Sequence, residues 1–106
     1  MASIKAKNVN HPGYTENLNA QKYNLIRDAI HAVLPTEGGM TFSDMEAGVH
    51  AHLAGIDFPP ELFPKSGSVR WYCKTVQLDL EARGEIERLP KTSPMQLRRI
   101  EQADEA

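Results

Sequence analysis

His50 and His52 form an H-x-H pair, the nearest thing in this chain to a metal half-site, and their spacing works against that chemistry. On a helix, residues two apart point about 200° from each other, so the two imidazoles cannot close on one ion. His11 and His31 have no ligand partner at a telling spacing, and no structural or catalytic metal is expected. Cys73 falls beside Val69 and Val76 on one helical arc, where a small buried thiol is expected rather than a nucleophile. The sequence places no general base next to it. It also lacks a G-x-S-x-G elbow, a glycine-rich phosphate loop and a carboxylate pair in a catalytic setting. The expectation is a non-enzymatic protein without a cofactor.

The chemistry left is that of charge and apolar contact. Between Lys65 and Arg99 there are eight basic side chains against four acidic ones, so this half is locally positive. Arg70 and Lys74 stand one helical turn apart, and Gln77 continues the same edge. Lys65, Lys91, Arg98 and Arg99 could flank it, which makes these seven the candidate phosphate and base contacts. Two features oppose that reading. The whole chain carries 12 basic and 14 acidic residues for a net charge of -2, whereas proteins held mainly by phosphate contacts tend to be basic. Asp79 and Glu81 share the same helix and would face or flank a phosphate, leaving an ordinary solvated charged surface as the competing reading.

That helix carries a second apolar stripe. At about 100° per residue, Val69, Tyr72, Cys73, Val76, Leu80 and the stem of Arg83 gather on one side, while Trp71, Thr75, Leu78 and Ala82 gather on the other. A helix with one face in the core and the other free for a groove should show one stripe. Trp71 and Leu78 are therefore interface candidates, covered by the segment around Val9 to Tyr14 or by a second copy of the chain. The Pro-rich stretch 54–67 adds Phe58, Leu62 and Phe63. These are either an exposed partner-binding patch or a cap on the bottom of the core.

The elements that must position these residues can be read from caps and periodicity. A chain of 106 residues with 41% hydrophobic content suffices for one domain with one modest core. Residues 1–18 are polar, with a Pro12-Gly13 turn signal and no sustained apolar period, and read as an N-terminal arm. The domain proper is expected over 19–100. Asn19 is a good N-cap for a first helix whose apolar positions Tyr23, Ile26, Ile30, Val33 and Leu34 recur at helical spacing, and Pro35 ends it. Thr41 with Asp44 resembles a capping box before a second helix faced by Phe42, Met45, Val49 and Leu53. Ser68 is the expected cap of the third helix, and Gly84 its C′ stop. Two short strands follow, joined by the polar loop from Pro90 to Pro94, with Ile86 and Leu97 as inward anchors. Residues 101–106 form an acidic tail. One cysteine, no charged-then-apolar leader and no membrane-length apolar run predict a reducing, cytoplasmic setting without a membrane.

The expected fold class is mainly α with a small β-hairpin, a winged helix-turn-helix-like arrangement of three helices plus a wing. The run LDLEARGEIER resembles the recognition helix and first wing strand of winged-helix proteins. NVNHPGY together with WYCKTVQLDLEARG resembles a family of small uncharacterised bacterial proteins built of little more than such a domain. The resemblance implies a fold and no activity. Two departures from DNA-reading winged helices stand out: the Pro-rich insertion replaces a tight turn before the third helix, and that helix has the second stripe. The candidate functions are duplex DNA binding in transcription regulation and, as the alternative, a non-catalytic protein-interaction module or structural homodimer using Trp71 and Leu78.

Overall fold

The computed structural model describes residues 2–100; the expected acidic tail lies outside them. The first two helices begin where local signals put them. The first, α1 (Ala20–Val33), is capped by the Asn19 side chain, which accepts from the Lys22 backbone N–H at 3.0 Å. Thr41 Oγ1 accepts from the Asp44 N–H at 3.2 Å at the head of α2 (Phe42–Ala54). The third helix, α3 (Ser66–Ala82), begins earlier than expected: Lys65 is its N-cap residue, and Ser68 lies inside the first turn, its hydroxyl donating to the Lys65 carbonyl at 2.6 Å.

The end of α3 shows why Gly84 is needed. The Glu85 N–H reaches back to the Leu80 carbonyl at 2.9 Å and the Gly84 N–H to Glu81 at 3.2 Å, the paired bonds of a Schellman motif. This reversal holds Gly84 at φ +79°, a left-handed conformation that costs a residue with a Cβ about 1 to 2 kcal/mol. The chain thereby turns directly into the strand pair that follows.

Two small antiparallel sheets accompany the helices. One has β3 (Met40–Thr41), β5 (Gln96–Arg99) and β4 (Ile86–Arg88) in the order β3-β5-β4, with Met40 opposite Leu97 and Arg88 opposite Leu97 on the other edge. Thr92 closes the loop between β4 and β5, its hydroxyl accepting from the Gln96 N–H and donating to the Leu89 carbonyl. Met40 and Thr41 extend the hairpin expected from sequence into three strands, a pairing too short to leave a period-two signature.

The other sheet departs from the expected arm. Residues 3–19 fold as a hairpin of β1 (Ser3–Lys7) and β2 (Thr15–Asn19), with Ser3 opposite Asn19 and Lys7 opposite Thr15. Its inward residues are Ile4, Ala6 and Leu18; Ala6 and Leu18 are buried in the common core. One small and two larger apolar side chains in ten strand residues explain why the period did not stand out.

The core lies between the helices and the three-stranded sheet. Ile26, Ile30 and Leu34 of the first helix meet Met45 and Val49 of the second, Cys73, Val76 and Leu80 of the third, and the strand anchors Ile86 and Leu97. Phe58 and Phe63 are half-buried and pack against this core, so the Pro-rich segment caps it. That is the role the sequence left open beside an exposed patch.

Candidate interaction face on the third helix

The two polar residues that flank the core arc of α3 are both fully buried, and each organises one side of the helix. On one side, Asp79 accepts from the Lys7 backbone N–H at 2.7 Å, from the Tyr23 hydroxyl at 2.5 Å and from Arg83 Nε at 2.9 Å to both oxygens. Arg83 also donates to the Lys5 carbonyl at 3.1 Å. One carboxylate thus ties β1, α1 and the end of α3 together. Asp79 does not flank a surface phosphate, as its place on the helix suggested; its charge is compensated internally by Arg83.

On the other side, Gln77 is a correction. It is buried rather than on a solvent edge, because its amide lies between Lys74 and Glu81 and bonds to both. Glu81 in turn accepts from Arg88 of β4, and Arg88 reaches Asn10 at 3.2 Å. The chain Lys74, Gln77, Glu81, Arg88, Asn10 runs from the middle of α3 to the hairpin loop and removes Gln77 from base-edge contact.

Two of the six candidate cations, Arg98 and Arg99, are engaged within the fold. Arg98 pairs with Glu87 directly across the strands at 2.6 Å, and Arg99 Nε donates to the Leu34 carbonyl at the end of α1 at 2.8 Å. Lys65 and Lys91 are exposed and take part in none of the ion pairs among the described residues. Arg70 is largely exposed, with Glu46 at a loose 3.8 Å. The Lys74 ammonium sits 4.8 Å from the Phe42 ring centroid. Burial first, then the nearby Arg88, lowers its pKa, partly offset by Glu81.

The second stripe is covered in part. Its middle is sheltered: Leu78 and Thr75 are half-buried where Ala6, Lys7, Asn8, Tyr14 and Glu16 of the hairpin line a cleft against them, while Ala82 beyond them is exposed. Its N-terminal part is open, with Trp71 49% exposed. Trp71 ends an edge-to-face ladder of Phe58, Phe63, Tyr72 and Trp71, with ring centroids 6.2, 5.5 and 5.2 Å apart in turn. Beside it an open groove is lined by Phe42, Gly67, Arg70, Trp71 and Lys74. Of the interface candidates, Trp71 alone is exposed; Leu62 is half-buried like Phe58 and Phe63.

The family of unknown function DUF6958 matches residues 3–97, which take in all three helices and every strand except the last two residues of β5. The chain belongs to this family. No curated protein and no solved structure matches the DUF6958 chain significantly. Among its described residues no helix is long and apolar enough to cross a membrane, and no group of three or more His, Cys, Asp or Glu side chains could hold a metal ion. Two of the four histidines sit beside acids, His31 on Glu85 at 2.7 Å and His50 on Glu46 at 3.5 Å.

Two buried acids of the DUF6958 chain set its response to alkali. Burial, then the hydrogen bond to Asp79, raises the Tyr23 pKa above its ordinary 10.0; burial, then Glu46, raises the Cys73 thiol from 9.0 to about 12. Both groups hold their protons more tightly folded than unfolded. Their contribution is complete below the unfolded values and is lost as pH climbs from about 9 through the folded ones. The expected result is a urea midpoint that falls above about pH 9, with a shallower fall in Tyr23→Phe and in Cys73→Ala. A midpoint independent of pH throughout that range would contradict the burial of both groups.

Proposed function

We propose that this protein is a cytoplasmic winged-helix module that binds nucleic acid without catalysis, using the first turns of α3. The element order helix, strand, helix, helix, strand, strand, with the sheet ordered β3-β5-β4, supports the winged-helix reading. In it α3 is the recognition helix and the β4–β5 hairpin the wing. The observation that carries the function is an uncovered stretch near the start of that helix: Arg70 and Lys74, one turn apart, flank the exposed Trp71, with Lys65 just before them. Cationic side chains interleaved with an aromatic ring suit phosphates and bases. Cys73, buried with its thiol pKa pushed up to about 12, is far from a thiolate nucleophile at neutral pH.

The test is fluorescence anisotropy with labelled DNA across a salt series. Affinity should fall steeply with salt, and Arg70→Ala combined with Lys74→Ala should reduce the slope of log affinity against log salt by about two. No binding at micromolar protein and low salt would refute the reading. One observation favours a second: Arg83, Arg88 and Arg98 are all paired with acids of the chain, and Val9, Tyr14 and Trp71 are exposed. A protein partner or second copy on Trp71 would use that apolar surface, and sedimentation at rising concentration would reveal the copy.

A further inference from the structure

We infer that the Trp71 face binds an unpaired nucleotide by stacking, with its phosphates on Arg70 and Lys74, and that it prefers single strands to a duplex. The inference rests on the nucleic-acid reading above and narrows it. Reading a major groove requires several polar side chains of the recognition helix free to reach base edges. Here the β1–β2 hairpin lies along Thr75 and Leu78, and Gln77 and Asp79 are buried in internal networks. What stays open has a different chemistry.

Trp71 is about half exposed, yet its ring is held by the edge-to-face contact with Tyr72 at 5.2 Å and the ladder behind it. The space beside it is free: a Cβ built on Gly67 would meet nothing within 4 Å. Arg70 is largely exposed with Glu46 at 3.8 Å, and Lys74, which donates to Gln77 at 3.3 Å, lies over the Phe42 ring; both line the groove beside the indole. A preset ring with cations beside it is the pattern by which proteins stack successive bases of a single strand while following its backbone. In a duplex the base faces are occupied by their neighbours, and only the phosphates would be available to this site.

Trp71 is the single tryptophan of the chain, which makes it an intrinsic reporter. An oligothymidylate, an oligouridylate and a duplex of equal length are titrated into the full chain at low salt, following tryptophan emission and anisotropy. One or both single strands should bind more tightly than the duplex and quench the emission; the ratio between the two tells deoxyribose from ribose preference. Trp71→Ala should weaken single-strand binding about five- to a hundredfold, the equivalent of about 1 to 3 kcal/mol per stacked base, while Trp71→Phe retains most of it. Unchanged urea midpoints would show that both variants fold. Duplex binding equal to or tighter than single-strand binding, with Trp71→Ala neutral, overturns the stacking inference and leaves nucleic-acid binding standing. No binding of any of the three overturns both.

Discussion

Replacing Asp79 with alanine is expected to destabilise the protein by about 3 to 5 kcal/mol, the usual result of removing one partner from a buried charged pair. Its carboxylate has no exposure and compensates three donors on different elements: the Lys7 N–H, the Tyr23 hydroxyl and the Arg83 guanidinium. Without it, the Tyr23 hydroxyl loses its acceptor in the interior, and Arg83 loses the partner that keeps it against the end of α3. The loss is large against the roughly 5 to 15 kcal/mol that holds a whole domain. It should also loosen the β1–β2 hairpin first, because the Lys7 bond joins that hairpin to α3. Urea denaturation measures the total, and limited proteolysis within residues 8–14 measures the hairpin. A midpoint within experimental error of the parent protein would mean that Asp79 is solvated. Asp79→Asn keeps the volume but replaces one acceptor oxygen by a donor, so it should fall between the two.

Leu80→Ala is expected to cost about 2 to 5 kcal/mol. The side chain is fully buried where α3 faces the core, so its removal deletes transfer energy and leaves a cavity whose walls relax only in part. The cost should be read in the denaturation midpoint at unchanged denaturant dependence. Leu78→Ala, one residue pair along the same helix but half-buried beneath the hairpin, should cost distinctly less. Equal effects from the two substitutions would show that α3 is rotated relative to the core.

These two residues also mark the line between local and tertiary information. Leu80 is legible in the sequence because it shares a helical arc with Val69, Cys73 and Val76, and all four are buried. The caps at Asn19 and Thr41, the stop at Gly84 and the strand anchors Ile86 and Leu97 are legible for the same reason: each follows from a side chain and its neighbours a few positions away. Asp79 and Gln77 lie about 80° to either side of the centre of that arc, the boundary at which a helical wheel does not distinguish core from surface. A buried Asp is permitted only by what reaches it, and its donors come from positions 7, 23 and 83. The candidate cations behave alike. Their types were plain in the sequence, but Arg98 was engaged by Glu87 across a strand and Arg99 by the Leu34 carbonyl at a helix end.

By itself, then, the sequence determined the three helices, most of their limits, the strand pair after Gly84 and the apolar arc, because hydrogen-bond capping and side-chain periodicity act over a few residues. Tertiary structure decided that residues 3–19 are a docked hairpin, that Leu78 is sheltered while Trp71 is open, and that Arg70 and Lys74 remain beside it. Those outcomes depend on which surfaces meet across more than fifty residues of chain. Apolar burial and charge pairing are non-local, and no period within one element records them.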